Sequence, residues 1–143
     1  MMDLNFGHMI IEKNGIKCTC GNNGCFEAYG SMKSLKTKMA LVENLKSITG
    51  KQLYQIIQKD KKESRKVIDE YLENLCIGFT NYINIFEPEA ICIGGSFVYY
   101  KDLLLNDLIN KMNKKNRTFN GEIPKIITAK MKNDAGIIGA TIF

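Results

Sequence analysis

The stretch that decides the fold runs from Gly7 to Glu27 and reads GHMIIEKNGIKCTCGNNGCFE. It contains the single histidine and three of the five cysteines of the 143-residue chain. One imidazole and three thiols are ligand types that a structural Zn²⁺ site favours, in a closed tetrahedral arrangement. We predict that zinc is bound here by four side chains, named the Cys3His cluster: His8, Cys18, Cys20 and Cys25.

The spacing of the thiols supports a metal site over a disulfide. Gly21 and Gly24, with two asparagines between them, supply the tight turns that let three sulfurs converge. The alternatives are a disulfide among these cysteines or free buried thiols. Cys18 and Cys20 are too close in sequence to pair readily, and the chain shows no secretory context. Zinc is therefore the preferred interpretation.

Composition and charge indicate a globular protein of single-domain length. Hydrophobic residues make up 45% of the chain and charged residues 24%, and the net charge is +5. A mildly basic balance is weak evidence for a polyanionic partner, and a solvated lysine-rich surface explains it equally well. The charged run at 59–63 is interpreted in the same way, as a solvated connector between helices.

Nothing in the sequence suggests a membrane or a secretory pathway. No apolar run reaches the length of a membrane span, and the first residues do not resemble a signal peptide. Cys76 and Cys92 lie in apolar stretches far apart in sequence, and we expect both to be unpaired and buried. Unpaired thiols suit a reducing compartment, so we expect a cytoplasmic protein.

Several helices are predicted from apolar periodicity and capping residues. A helical pattern runs from Phe26 to Leu45, with Ser31 as the candidate N-cap of a helix and an earlier start near Glu27 as the alternative. A second begins at Thr49, where the sequence matches a capping box. The longest runs from about Ser64 to Phe86 and ends before Pro88, because proline disfavours helical geometry in the preceding residue.

Three short strands are predicted, and together with the helices they indicate an α/β fold. These strands are Met9–Ile11, Ala90–Ile93 and Lys125–Thr128, the second of which we expect to be buried on both faces. A final helix rich in small residues is expected at 133–140. Alternation of strands and helices after residue 64 is typical of α/β architecture.

A glycine turn follows the strand Ala90–Ile93 and precedes a predicted helix at about 100–112. Gly94 and Gly95 would allow a ligand phosphate or nucleoside to approach the backbone closely. A plain strand-to-helix turn explains the same residues, and on the residues alone we prefer it.

Three motifs together resemble the ROK family of bacterial sugar kinases and sugar-responsive repressors. They are the zinc-loop pattern of Gly7-His8 with Cys18–Glu27, the strand and glycine turn Phe86–Ser96, and the stretch Asn133–Ala140. The cysteine pattern is highly specific, and the other two are supportive. The resemblance covers nearly the whole chain.

The resemblance implies an actin-like ATPase (ribonuclease H-like) fold of two lobes, with sugar and ATP bound between them. It places sugar contacts on His8, which also ligates zinc, and on Glu27. It places Gly94 and Gly95 near the nucleotide, and it implies ATP and Mg²⁺ as cofactors of the intact enzyme beside structural Zn²⁺. A physical route connects zinc to sugar, because zinc fixes the loop and the loop fixes Glu27. A helix N-terminal acid favoured by the macrodipole also explains Glu27, and both roles can hold together.

The chain also departs from the family pattern. Asn5 occupies the position at which the family usually has a sugar-binding glutamate. The N-terminal lobe, with its phosphate loop and general-base aspartate, has no counterpart. We therefore expect residues 1–143 to form an incomplete C-terminal lobe, including the zinc loop 8–27, with no catalytic residue and no kinase activity alone.

Two functions from different classes follow from the resemblance. The first is the sugar-binding portion of a glucokinase-like kinase acting on a hexose or N-acetylhexosamine. The second is the effector-binding portion of a transcriptional repressor, the one case in which we expect a nucleic-acid partner. A third possibility is a remnant of such a protein that folds around zinc and associates with itself. Independently of these functions, we expect a homodimer. The sequence encoded upstream of Met1 would separate kinase from repressor.

Overall fold

The computed structural model describes residues 6–115 and 121–130. These residues form five α-helices and two strands: α1 (Phe26–Gly30), α2 (Met32–Val42), α3 (Gly50–Lys59), α4 (Lys62–Phe86), β1 (Ala90–Ile93), α5 (Lys101–Lys115) and β2 (Lys125–Thr128). The chain divides into two compact units, Met1–Gly78 and Phe79–Phe143. The helix predicted at 133–140 lies outside the described residues, as does Asn5. No described helix combines the length and apolar composition needed to cross a membrane.

The predicted helix that begins after Ser31 is confirmed, whereas the alternative of one continuous helix from near Glu27 is wrong, because the structure interrupts the helix at Ser31. This residue has extended backbone angles (φ −78°, ψ 151°) and separates α1 from α2. Its side chain accepts a hydrogen bond from the backbone N–H of Ser34 at 3.1 Å, so the predicted N-cap is confirmed. A serine that satisfies a free N–H in this way starts a new helix and interrupts the one before it.

The next two helices follow the prediction more closely. Thr49 and Gln52 form the predicted capping box, in which each side chain accepts a hydrogen bond from the other residue's backbone N–H, at 3.2 Å and 2.8 Å. Helix α4 begins at Lys62, two residues before the expected start at Ser64, and ends at Phe86 as predicted. Local capping signals therefore fixed these boundaries to within two residues.

The first unit has an apolar core to which α2, α3 and α4 contribute. Its most deeply buried side chains, at most 1% exposed, include Leu35, Met39, Leu53, Ile68 and Leu72. Three polar contacts join α2 and its C-cap, Glu43, to α4: Tyr71 Oη donates to Met32 Sδ at 3.2 Å, Lys38 Nζ to Glu70 Oε1 at 2.5 Å, and Ser64 Oγ to Glu43 Oε1 at 3.1 Å. Since these contacts occur in opposite order along the two helices, α2 and α4 run antiparallel.

The second unit contains a pair of parallel strands. Ala90 pairs with Lys125 and Ile93 with Thr128, and α5 lies between the strands in sequence. A parallel pair needs such a crossover connection. The α/β class predicted from the sequence is confirmed, and the bounds of both strands match their predictions.

The predicted burial of β1 is wrong. Its residues alternate between exposed and half-buried, and Cys92 is exposed where the sequence suggested apolar surroundings. Within the described residues β1 has one hydrogen-bonded neighbour, β2. Cys76, by contrast, is fully buried as predicted. The third predicted strand, Met9–Ile11, is an isolated bridge between Ile10 and Cys25.

Candidate metal centre

Backbone hydrogen bonds bring the two ends of the cysteine loop together. Ile10 forms an antiparallel bridge with Cys25. Beside it, the N–H of Phe26 donates to the carbonyl of Met9 at 2.7 Å, and the N–H of Ile11 donates to Gly24 at 2.9 Å. These bonds place Cys25 next to the segment that follows the histidine.

An inner turn of the same loop positions the other two thiols. The N–H of Cys18 donates to the carbonyl of Asn22 at 2.8 Å, and the N–H of Gly24 donates to Ile16 at 2.8 Å. The chain therefore reverses direction between Cys18 and Asn22, and Cys20 lies within that reversal. The turn predicted for this segment is confirmed.

Gly24 shows why the loop requires a glycine. Its φ is +80°, in the left-handed region that side chains rarely adopt. A Cβ at this position would also overlap the backbone carbonyl oxygen of Glu12. Both the backbone conformation and the available space therefore exclude a larger residue here.

Two aromatic side chains of α1 fix the loop from the helix side, and neither contact was predicted from the sequence. The Tyr29 hydroxyl accepts a hydrogen bond from the N–H of Ile16 at 2.7 Å. The ring of Phe26 lies against Gly30 and Gly78, since a Cβ on either glycine would overlap it. These contacts join residues distant in sequence, so no local pattern predicts them.

The structure brings all four predicted ligands of the Cys3His cluster together. Their ligand atoms lie within 4.8 Å of one another. His8 Nδ1 is 3.5 Å from Cys18 Sγ, and Cys20 Sγ is 3.5 Å from Cys25 Sγ. Cys25 is fully buried and Cys18 nearly so, whereas Cys20 is exposed.

This arrangement fits a tetrahedral zinc ion. Two sulfurs that each lie about 2.3 Å from such an ion are about 3.8 Å apart, close to the separations observed here. Three thiols and an imidazole are also the soft and borderline donors that zinc prefers. All five cysteines of the chain are free thiols, so the disulfide alternative is not formed. The cluster therefore has the donor set and the spacing of a structural zinc site.

The cluster's thiols differ in their affinity for protons. A hydrogen bond from the backbone of Cys20 lowers the pKa of Cys18 to about 6, although burial opposes this effect. Burial raises the pKa of Cys25 to about 12. In the metal-free loop, Cys18 is therefore the more acidic thiol, and Cys25 retains its proton to higher pH. A bound cation would have to displace the proton of Cys25.

Glu27 lies beside the cluster, at the wall of a cavity. Its Oε2 is 3.8 Å from His8 Nε2, and the side chains of His8 and Glu27 are 28% and 49% exposed. The cavity has a volume of about 250 Å³ and is also lined by Thr19, Ser34 and Thr37. The sequence analysis missed the two α2 hydroxyls, although their spacing of three from Ser31 and from each other could have indicated a shared helix face.

Gly94 and Gly95 form the turn between β1 and a short 3₁₀ helix, Gly95–Tyr100. Gly95 has a φ of +63°, and a Cβ there would meet no atom within 4 Å. The backbone conformation alone therefore explains this glycine. A nucleotide contact at either position stays a prediction.

Comparisons with known proteins identify the family of the chain. The sequence matches the model of the ROK family over residues 2–143, and the chain belongs to that family. The xylose repressor of Bacillus spizizenii is 27% identical over 133 residues, covering 93% of this chain and 34% of the repressor. The glucokinase of Thermotoga maritima is 28% identical over 148 aligned residues, covering 94% of this chain and 46% of the glucokinase.

A solved structure shows the same fold. A ROK family glucokinase from Streptomyces griseus, in complex with glucose and AMPPNP, superposes with a TM-score of 0.80 at 22% identity. The match covers 94% of this chain and 49% of the glucokinase. The chain thus spans about a third to a half of the length of these relatives, which include both a repressor and kinases.

Proposed function

We propose that this chain is the sugar-binding portion of an ATP-dependent hexose kinase of the ROK family. The observation that carries the proposal is the position of Glu27, whose carboxylate faces the imidazole of His8 and lines a cavity. A carboxylate accepts hydrogen bonds from neighbouring hydroxyls, and an imidazole donates or accepts one more. A hexose or N-acetylhexosamine presents hydroxyls that suit this pair of groups.

Zinc would have a structural role in this proposal. The Cys3His cluster would supply four protein ligands, which leave no open coordination position for substrate. When bound, the ion fixes the loop on which His8 and Cys25 lie. Glu27 follows Cys25 by two residues, so a fixed loop also fixes the start of α1.

The nucleotide part of the proposal rests on the glycine turn. We propose that Gly94 and Gly95 would lie against ATP, and that Mg²⁺ would neutralise charge on its phosphates when bound. We predict that residues 1–143 tested alone do not phosphorylate sugar, since we assign no general base among them. An ATP-coupled assay with glucose, N-acetylglucosamine and N-acetylmannosamine checks this, and turnover well above the blank would contradict it.

Calorimetric titration tests sugar binding directly. The zinc-loaded chain is titrated with glucose, N-acetylglucosamine, N-acetylmannosamine and D-xylose. We expect binding of a hexose, and a loss of about 10- to 100-fold in affinity for Glu27→Ala, since hydrogen bonds to a charged group contribute about 1.5–3 kcal/mol. Glu12→Ala is the matched control, because Glu12 is an exposed acid of the same loop. Sugar binding that is absent, or equally strong in both variants, refutes the proposal.

A second candidate function is the effector-binding portion of a sugar-responsive repressor. The specific observation in its favour is the alignment with a xylose repressor over 93% of this chain. Preference for D-xylose over the hexoses in the same titration would favour it. The sequence encoded upstream of Met1 is the second discriminator, because a phosphate loop indicates a kinase and a winged helix indicates a repressor.

The proposal also includes an assembly state and a compartment. We propose a homodimer, which light scattering would test, and a monomer at high concentration would contradict it. Five free thiols favour a reducing environment, so we place the protein in the cytoplasm.

A further inference from the structure

The imidazole of His8 lies between two different partners. Its Nδ1 is 3.5 Å from the sulfur of Cys18, on the side of the cluster. Its Nε2 is 3.8 Å from the carboxylate of Glu27, on the other side. Each ring nitrogen therefore faces a separate chemical group.

This orientation assigns a role to each nitrogen. The nitrogen that faces the sulfurs is the one available to a metal, and the other then carries the proton. The separation from Glu27 exceeds the usual hydrogen-bond length, so a hydrogen bond requires the half-exposed carboxylate to move closer to Nε2. A carboxylate that accepts the outer N–H of a metal-binding histidine fixes the ring orientation and makes the histidine a better ligand.

The backbone of Glu27 is held by contacts that do not involve the cluster. Its carbonyl accepts a hydrogen bond from the N–H of Ser31 at 3.2 Å. The preceding residue, Phe26, packs its ring against Gly30 and Gly78. These contacts add to those of the loop in presenting the carboxylate to His8.

We propose that Glu27 is a positioning residue of the metal site, which holds the His8 imidazole with Nδ1 toward the three sulfurs. This inference rests on the proposed zinc site and adds a second role to the proposed sugar contact. The dependence between zinc and Glu27 then runs in both directions, because the loop positions the glutamate and the glutamate positions a ligand.

A consequence follows if the same carboxylate also binds sugar. A sugar that changes the contact between Glu27 and His8 changes zinc affinity by some factor, and zinc changes sugar affinity by the same factor. Zinc retention and sugar binding are then coupled through one side chain.

Chelator competition with Zn²⁺ alone tests the positioning role. Full-length wild type, Glu27→Ala and Glu27→Gln are compared, with Glu12→Ala as the control that removes an acid elsewhere in the loop. We expect Glu27→Ala to lose about 10- to 100-fold in zinc affinity. Glu27→Gln keeps an acceptor oxygen and should lose less. Glu12→Ala should stay within about twofold of wild type.

Three results would overturn the inference. The first is a folded Glu27→Ala variant whose zinc affinity is within about twofold of wild type. The second is an equal loss in Glu12→Ala, which would indicate a general charge effect. The third is a wild-type chain that binds no zinc. Circular dichroism checks that each variant is folded.

Nitrogen NMR of the imidazole supplies an independent readout, because His8 is the single histidine of the chain. In the zinc-loaded wild type we expect metal at Nδ1 and a proton at Nε2, with the Nε2 shift altered in Glu27→Ala and partly restored in Glu27→Gln. Ligation through Nε2, or a shift unaffected by either variant, contradicts the proposal. A chain that shows these effects but binds no sugar supports the positioning role and refutes the proposed function.

Discussion

The cysteine loop, residues 6–30, and the strand pair β1–β2 are stabilised in different ways. The loop has two isolated bridges and a short helix, and its shape depends on individual hydrogen bonds and on Gly24. The strand pair has a regular parallel ladder of four residues on each side. The first region depends on particular residues at fixed positions, whereas the second depends on an apolar pattern.

This difference predicts how each region responds to substitution. A loop that brings four ligand atoms together should tolerate few substitutions, because each glycine and each cysteine is needed for a particular part of its geometry. A strand tolerates many apolar residues, and its sensitivity follows the burial of each side chain. Matched substitutions in the two regions can test this contrast.

Metal binding should give the largest contrast. We expect one zinc per chain in wild type and in Cys92→Ser, and none in Cys25→Ser, since structural zinc contributes on the order of 10 kcal/mol in small domains. Elemental analysis of the purified variants measures this directly. The contrast fails if wild type is free of metal, or if Cys25→Ser retains a full equivalent.

Two glycines with positive φ provide the second contrast. Gly24→Ala adds a Cβ that overlaps the Glu12 carbonyl, whereas Gly95→Ala adds one that meets open space. We expect Gly24→Ala to lose about 3–5 kcal/mol and Gly95→Ala about 1 kcal/mol, the cost of the left-handed backbone alone. Urea unfolding measures the loss of stability in each variant. The rate of Cys25 alkylation reports whether the loop around Gly24 has opened. Equal losses would mean that the overlap at Gly24 is relieved by movement of the loop.

Two adjacent isoleucines of β2 provide a third contrast, between a buried and an exposed side chain of the strand pair. Ile126 is 7% exposed and Ile127 is 38% exposed. Truncation of a buried isoleucine to alanine costs about 2–4 kcal/mol, and we expect less than about 1 kcal/mol at the exposed position. Urea unfolding midpoints of Ile126→Ala and Ile127→Ala give the comparison. A larger loss at Ile127 would show that an additional element covers that face of the strand.

The pH dependence of the metal-free chain should give the smallest effect. The pKa of Cys18 is lowered from 9.0 to about 6, so its contribution to stability is lost as pH falls from 9 through 6. The pKa of Cys25 is raised from 9.0 to about 12, so its contribution is present below pH 9 and lost as pH rises toward 12. We expect urea midpoints, with chelator and reductant present, to be highest near pH 9.

Cys18→Ser should abolish the loss of stability at low pH, and Cys25→Ser should abolish the loss of stability at high pH. A profile that is unchanged in both variants would mean that other groups control it. Cys92→Ser, in the strand pair, is the control variant, and it should lose stability at both low and high pH as the wild type does.

Much of the local structure could be predicted from the sequence because its causes are local. The cap at Ser31, the capping box at Thr49 and the turn at Gly24 each involve residues within a few positions of one another. The bounds of β1 and β2 were also correct, since short apolar runs with flanking breakers define them. The alternative of one continuous helix from near Glu27 was wrong, because Ser31 acts as a cap and separates α1 from α2.

The candidate site was only partly predictable. The ligand types and the family could be inferred from the cysteine spacing, and the family is confirmed. The contacts from Tyr29 to Ile16, and from Phe26 to Gly78, join segments that are separated along the chain. The cavity lined by Ser34 and Thr37 likewise depends on how the loop lies against α2.

The sequence by itself determined which donors are present, where helices are capped and where the chain turns. These properties arise from covalent structure and from interactions between residues close in sequence. Tertiary structure alone decided that the His8 imidazole faces Cys18 with one nitrogen and Glu27 with the other, and that Cys92 is exposed while Cys76 is buried. Burial and side-chain orientation depend on which distant segments pack against a residue, and hydrophobic pattern does not specify those partners.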